Sequence, residues 1–194
     1  MTLSSVLLVL LQVCSLQLMV AAMPKCQLQG DLVMSTHHLL RDLGEEFPVH
    51  CRVLNTNISF PDSAFPAKTT NHPQCRQALW VVYESLREAG QIFGDHELPV
   101  GEGGVTWDNA KLEDFQNLQF RLLEEGSCLS RVSGSGVLSS YFSNVTAVLQ
   151  QQESAACGWM ALRRDLLRVL ATGLQKHCTC FTWRDGHKCR DHAQ

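Results

Sequence analysis

The sequence predicts an all-α protein, built as one disulfide-linked bundle of five amphipathic helices. Five stretches repeat apolar residues at spacings of three and four, which is the period of a helix. No segment alternates apolar and polar residues for long enough to indicate a strand, and the dipeptides typical of β-hairpin turns are absent. Of the nine cysteines, Cys14 lies in an apolar N-terminal segment, and the even number that remains favours disulfides in a secreted chain.

The N-terminal segment has the pattern of a secretory signal peptide. An apolar run from Val6 to Val20 carries no charge before Lys25, and it ends in the small residues Ala21 and Ala22. We expect cleavage near Ala22, so that residues 1–22 are the signal peptide and 23–194 one secreted domain. The alternative is a signal anchor, but the run is short for a membrane span. The net charge of −3 gives no reason to expect nucleic acid or a membrane surface as a partner.

The first predicted helix carries Leu28, Leu32, Leu39 and Leu43. A long irregular segment follows, from about residue 44 to 72, and its three prolines favour an ordered loop over a helix. A connection of this length predicts that the first two helices run in the same direction, since a short turn would reverse the chain.

The remaining helices follow with shorter links. The second spans about Gln74 to Phe93 with Pro73 at its start, a position that proline favours, and the glycine-rich link 101–104 precedes the third. The apolar stripes of helices two to five are Leu79, Val82, Leu86, Ala89 and Phe93; Leu112, Phe115, Leu118 and Leu122; Leu138, Tyr141, Phe142, Val145, Val148 and Leu149; and Trp159, Leu162, Leu166, Val169 and Leu170. Such one-sided stripes are typical of helices that pack on other helices.

Three motifs in chain order give the sequence a family resemblance. The segment Cys157 to Arg168, with a tryptophan two residues after its cysteine and then an arginine-bearing amphipathic helix, resembles the last helix of type I interferons. Tyr141-Phe142 is similar to the start of the preceding helix in that family, and Trp107-Asp108 to the opening of the third helix. Cys26, close to the expected mature N-terminus, is a further match. The chain most resembles the type I interferons of fish.

This resemblance implies a fold and a function. The fold would be a five-helix, up-up-down-down type bundle of the helical cytokine kind. The function would be to bind a heterodimeric class II cytokine receptor at the cell surface and to trigger JAK-STAT antiviral signalling. The protein would be a monomer with no enzymatic activity and no cofactor.

The resemblance also implies two disulfides, Cys26–Cys128 and Cys51–Cys157. It leaves Cys75, Cys178, Cys180 and Cys189 without assigned partners, and an intermolecular disulfide stays open.

The fifth helix holds the candidate receptor-binding residues. Its apolar stripe faces inward, and a second arc is predicted to face solvent: Met160, Arg163, Arg164, Leu167 and Arg168. Arginines around apolar anchors are enriched at binding hot spots. The residues alone favour an ordinary charged outer face, but the resemblance favours binding, because these positions match the face for the high-affinity receptor chain. Arg52 and Leu54 in the long loop would join it, and the second chain would bind the second to fourth helices.

Other sites are minor. Two sequons predict N-glycosylation at Asn57 and Asn144. The cysteine-rich basic tail from about residue 176 could bind cell-surface glycans, although a short solvated terminus is favoured. Its His177-Cys178-x-Cys180 cluster lacks common zinc spacing, so disulfides are favoured over a metal site. No catalytic motif is present.

Three alternative functions remain open at this stage. Another secreted helical cytokine or hormone would share the bundle but lack the fifth-helix motif. A small secreted enzyme would need a paired His-Asp site, which the sequence does not show. A secreted lipid carrier would co-purify with lipid and would not signal through a receptor.

Overall fold

A computed structural model describes residues 26–54, 58–67, 71–99, 101, 103–132, 136–151 and 154–184. This part of the chain contains five helices of three turns or more. They are α1 (Gly30–Arg41), α2 (His72–Asp95), α3 (Asn109–Glu125), α4 (Gly136–Leu149) and α5 (Ala155–Lys176). Within the same residues there is no strand, and one isolated bridge pairs Gln29 with Thr182. The all-α prediction is confirmed.

Side-chain caps explain where two of the helices begin. The Asn71 side chain accepts a hydrogen bond from the backbone N–H of Gln74 (3.0 Å), and Pro73 lies in the first turn of α2. Asp108 caps α3 in the same way, accepting from the N–H of Lys111 (3.1 Å). Each cap satisfies one of the N–H groups that a helix leaves unpaired at its start.

Helix α3 runs antiparallel to α1. The N–H of Asp108, just before α3, donates to the carbonyl of Leu43, just after α1 (2.9 Å). At the other end, the amide of Gln29 donates to Glu125 in the last turn of α3 (3.3 Å). The start of each helix therefore lies beside the end of the other.

Helix α5 is antiparallel to both α1 and α2. The start of α1 lies beside the segment that follows α5, because the N–H of Gly30 donates to the carbonyl of Thr182 (2.8 Å). Cys75 in the first turn of α2 is bonded to Cys180, also beyond α5, whereas Phe93 near the end of α2 contacts Trp159 near the start of α5. Helices α1 and α2 thus run the same way, as the long connection predicted, and α3 and α5 run the other way.

Helix α4 packs antiparallel along α5. Its last residue, Leu149, lies against Gly158 near the start of α5, and a Cβ at that glycine would come within 2.9 Å of the leucine side chain. Further along, Tyr141 reaches Asp165. The small residue at 158 allows this close approach.

The core combines the predicted stripes with an aromatic cluster. Phe93, Phe115, Trp107 and Trp159 lie with ring centroids 5.0–6.3 Å apart. The stripe of α1 differs from the prediction: its fully buried side chains are Val33, Thr36 and Leu40, and Leu32 and Leu39 are only half-buried.

Three disulfides join described residues. Cys26 is bonded to Cys128 and Cys51 to Cys157, the two pairs that the family resemblance implies. The third bridge joins Cys75 to Cys180, so neither of these two cysteines forms the intermolecular disulfide that the sequence left open. Cys178 is also disulfide-bonded. Cys189 lies outside the described residues.

The segment after α5 folds back onto the start of the bundle. Thr182 exchanges backbone hydrogen bonds with the strand-like residues before α1, and its N–H donates to the carbonyl of Leu28 (3.0 Å). The indole of Trp183 covers Gly30, where an added Cβ would lie 2.6 Å from the ring. The expectation of a solvated tail from about residue 176 is therefore wrong as far as residue 184; the rest of the tail lies outside the described residues.

None of the helices in the described residues has both the length and the apolar character needed to cross a membrane. The predicted signal peptide, residues 1–22, lies outside the described residues.

Candidate binding surface

A groove of 740 Å³ lies between α5 and the loop that follows α1, and we call it the loop groove. Five of the seven residues that the sequence proposes for receptor binding line it; its lining residues are Arg41, Gly44, Glu46, Phe47, Arg52, Met160, Arg163, Arg164 and Leu167. The structure thus brings together residues more than a hundred positions apart in the chain. The Cys51–Cys157 disulfide holds the loop beside α5 at this place.

Arg164 is fixed by a network of buried partners. Its Nε donates to Oδ1 of Asp165 (2.7 Å), and one terminal nitrogen donates to the carbonyl of Ile58 (3.1 Å). Its guanidinium also stacks over the ring of Phe47, 4.7 Å from the centroid. The other carboxylate oxygen of Asp165 accepts from the hydroxyl of Tyr141 (2.9 Å). Arg164 is therefore presented to the groove in one orientation although about a third of its side chain is exposed.

Burial and charge together shift the pKa values of Tyr141 and Arg164. Burial, followed by the negative charge of Asp165, raises the pKa of Tyr141 far above its usual range. The hydrogen bond from Arg164 to Asp165 raises the pKa of the guanidinium. Tyr141 therefore remains a neutral hydroxyl donor, and Arg164 remains a cation, at any physiological pH.

Two of the predicted residues are not on the solvent-facing arc. Met160 and Arg163 are only 8% and 6% exposed, so the helical-wheel placement is wrong for both. The reason is the loop after α1, which folds over this side of α5 and covers two positions that would otherwise face water. A helical wheel of α5 cannot show that cover.

The other predicted residues differ in exposure. Arg168 is half-exposed and pairs with Asp62 of the long loop, and Leu167 is half-buried at the groove. Arg52 is exposed. The side chain of Leu54 lies outside the described residues.

Two residues of this surface were missed in the sequence. Val49 exposes 72% of its area next to Arg52, and Phe47 forms the wall against which Arg164 stacks. Both lie in an irregular loop, where no periodicity could indicate which side chains face outward. The only signal in the sequence was that each is an apolar residue beside Pro48 in a mostly polar segment.

A second groove, of 410 Å³, separates α2 from α3. Phe120 stands at its edge with 62% of its area exposed, and Phe93 and Leu123 line it as well. Gly94 leaves it open, since a Cβ there would meet nothing within 4 Å. We call this the α2/α3 groove. It lies on the face expected for a second receptor chain.

One group of potential metal ligands occurs among the described residues: His50, Cys51 and Cys157, with ligand atoms within 4.8 Å of one another. Both sulfurs are joined in a disulfide, and a disulfide sulfur is not the thiolate that binds a metal. In the tail cluster, Cys180 is likewise bonded, to Cys75. These groups therefore stabilise the fold and do not form a metal site.

Only one of the two predicted glycosylation sites lies within the described residues. Asn144 is exposed on α4, so an enzyme could reach it in the folded protein. Asn57 lies outside the described residues.

The sequence was compared with protein families, with curated proteins and with solved structures. Residues 27–176 match the interferon alpha/beta domain. Interferon alpha-G of Bos taurus is 27% identical, over 71% of this chain and 76% of its own length. Interferon beta of Tachyglossus aculeatus aculeatus is also 27% identical, over 68% of this chain and 72% of its own.

Among solved structures, zebrafish interferon 2 is similar in both sequence and fold. The superposition has a TM-score of 0.61 with 27% identity, and it covers 75% of this chain and 97% of the zebrafish chain. The similarity therefore spans nearly all of a solved interferon.

Proposed function

Because this chain belongs to the type I interferon family, we propose that it binds two class II cytokine receptor chains and so triggers JAK-STAT antiviral signalling. Membership makes the chain a cytokine of a secreted, non-enzymatic family. Family membership therefore excludes the enzyme, the lipid carrier, and a cytokine or hormone of another family.

The single observation that carries the receptor proposal is the convergence of the predicted residues on the loop groove. Arginines outnumber carboxylates in the lining of the loop groove, with Arg41, Arg52, Arg163 and Arg164 against Glu46. Apolar Phe47, Met160 and Leu167 lie among them, and Arg168 and Val49 are exposed nearby. Charges presented this way attract and orient an acidic partner, and apolar groups between them supply area to bury. The high-affinity chain would then carry an acidic surface with an apolar centre.

The preset orientation of Arg164 supports the same proposal. A free arginine loses side-chain entropy when a partner immobilises it. Arg164 has already lost much of that freedom to Asp165, Ile58 and Phe47. Arg168 differs, because its ion pair with Asp62 is exposed and a partner can replace it at low cost.

The second receptor chain would bind the α2/α3 groove. Phe120 exposes 62% of its area at the edge of this groove, and Phe93 and Leu123 line it, so the exposed apolar surface is contiguous there. Contiguous apolar surface marks interaction sites. Both chains held on one bundle would bring their intracellular kinases together.

A binding experiment on the two faces tests the proposal. Purified mature protein is titrated against the ectodomain of each host receptor chain, as wild type and as Arg164→Ala, Arg168→Ala and Phe120→Ala. Arg131→Ala, an exposed arginine in the link between α3 and α4, is the matched control. We expect each arginine variant to lose about tenfold in affinity for the high-affinity chain, near 1.4 kcal/mol, as hot-spot truncations do. Phe120→Ala should weaken the other chain alone.

Folding is checked by circular dichroism, because Arg164→Ala also leaves Asp165 without its ion pair. If Arg164→Ala and Arg168→Ala fold and bind as tightly as Arg131→Ala, the loop groove is not the receptor site.

A further inference from the structure

All three guanidinium nitrogens of Arg163 donate to the C-terminal end of α1 and to the residues just after it. Nε donates to the carbonyl of Leu40 (2.8 Å), and the two terminal nitrogens donate to the carbonyls of Glu45 (2.5 Å), Arg41 (2.5 Å) and Gly44 (2.9 Å). Every acceptor is a backbone oxygen, and the four lie within six consecutive residues. The side chain is 6% exposed, so it offers almost nothing to a partner.

These acceptors are groups that need a donor. The last carbonyls of a helix have no partner within the helix, and they form the negative end of its dipole. The C-cap of α1 pairs only the N–H of Asp42, with the carbonyl of His38. Arg163 therefore caps α1 from another helix, and it supplies the positive charge that the helix end favours. Burial lowers the pKa of this guanidinium, but an arginine stays charged at physiological pH.

The same hydrogen bonds fix the path of the chain beyond α1. Gly44 and Glu45 are two of the four acceptors, and the next residues, Glu46 and Phe47, form a wall of the loop groove. Phe47 is the ring on which Arg164 stacks. The position of that wall, and so the shape of the groove, depends on bonds made by a residue that is itself covered.

We propose that Arg163 is a positioning residue of the receptor site: it sets the loop 44–47 through its carbonyl bonds and does not contact the receptor. This inference rests on the proposed function of the loop groove. It assigns different roles to two neighbouring arginines: Arg164 would contact the receptor, whereas Arg163 would hold Glu46 and Phe47 in place.

Replacing Arg163 with lysine tests whether the geometry of its donors or only its charge matters. Arginine presents five N–H donors in a fixed plane, whereas lysine presents three from a single point. Arg163→Lys keeps the charge but cannot serve four carbonyls spread along the loop. Arg131→Lys is the matched control, because Arg131 is exposed in the link between α3 and α4 and does not line the loop groove.

The test has two readouts, affinity for the ectodomain of the high-affinity chain and hydrogen exchange of backbone amides. For Arg163→Lys we expect about a tenfold loss of affinity, from lost preorganisation, together with faster exchange at the end of α1. Arg131→Lys should leave both the affinity and the exchange in α1 unchanged. A double-mutant cycle with Phe47→Ala should be strongly non-additive, since both changes remove the same wall.

Two results would overturn the inference while leaving the proposed function intact: Arg163→Lys binding like wild type, or its effect adding fully to that of Phe47→Ala. Loss of affinity with unchanged exchange would also overturn it, because it would make Arg163 a contact residue. If Arg163→Lys does not fold, Phe47→Ala alone decides, since binding at the wild-type level would exclude a role for the wall. The proposed function itself fails separately, if Arg164→Ala and Arg168→Ala bind normally.

Discussion

Three consecutive residues of α5 have three different environments. Arg163 is buried and bonded to carbonyls, Arg164 is half-buried and bonded to a carboxylate and a ring, and Asp165 is buried as the acceptor of two donors. Their order in the sequence, Arg-Arg-Asp, gives no sign of this. Neighbours on a helix point about 100° apart, so each meets a different element: the end of α1, the long loop and α4.

His177 is a residue-scale feature with a measurable consequence. It is 3% exposed, its ring stacks on Phe65 at 5.2 Å, and neither ring nitrogen has a hydrogen-bond partner among the described residues. Burial, followed by the charge of Lys176, lowers its pKa below the ordinary value near 6.5. The unfolded chain therefore binds this proton more readily than the folded chain, and stability falls as the pH falls through and below about 6.5.

We predict that the free energy of unfolding of the wild type decreases between pH 7 and 5, and that His177→Phe reduces this decrease. Phenylalanine keeps the stacking and cannot titrate. His37, whose pKa burial also lowers, accounts for some of the remaining slope. Urea titrations at several pH values measure the effect, with the exposed His72→Gln as control. Equal slopes for wild type and His177→Phe would contradict the prediction.

At the scale of elements, periodicity predicted the helices well because their stripes face a single core. The start of α2 near Pro73 follows from the preference of proline for the first turn of a helix. The opening of α3 at Trp107-Asp108 was predicted from the family resemblance, and the Asp108 cap gives its physical reason. The α1 stripe was less accurate. Leu28 and Leu43 are fully buried but lie outside the helix, so including them rotated the predicted face away from Val33 and Leu40.

The loop and the tail could not be predicted to the same extent. The cover over Met160 and Arg163 is a tertiary contact with a loop that has no period. The Cys75–Cys180 bridge could not be assigned, because spacing does not determine pairing when several cysteines remain. What pairs them is the antiparallel packing of α2 and α5, which brings the start of one beside the end of the other.

This third bridge gives an element-scale prediction. The double variant Cys75→Ser, Cys180→Ser should fold but lose about 2–5 kcal/mol of stability, because the bridge restricts the unfolded chain. The measurement is guanidinium unfolding followed by circular dichroism. Asn144→Gln, at an exposed position of α4, is a control for the effect of a surface change. A double variant as stable as the wild type would show that packing of the tail alone holds this end of the bundle.

At the scale of the whole molecule, the disulfides and the packed helices hold the two proposed binding surfaces on one bundle. The loop groove lies on α5 and the long loop, whereas the α2/α3 groove lies on a different pair of helices. The two grooves share no lining residue, as the proposal of two receptor chains on one copy requires. The order of motifs in the sequence was sufficient to identify the family, but the residues that make the second surface only emerged from the packing of α2 on α3.

The most direct test of the central claim is induction of an interferon-responsive reporter by purified mature protein in host cells that carry both receptor chains, compared with cells lacking either one. We predict induction that needs both chains, because each groove is proposed to bind one of them. Induction that persists after either chain is removed, or no induction by correctly folded protein in cells with both, would contradict it.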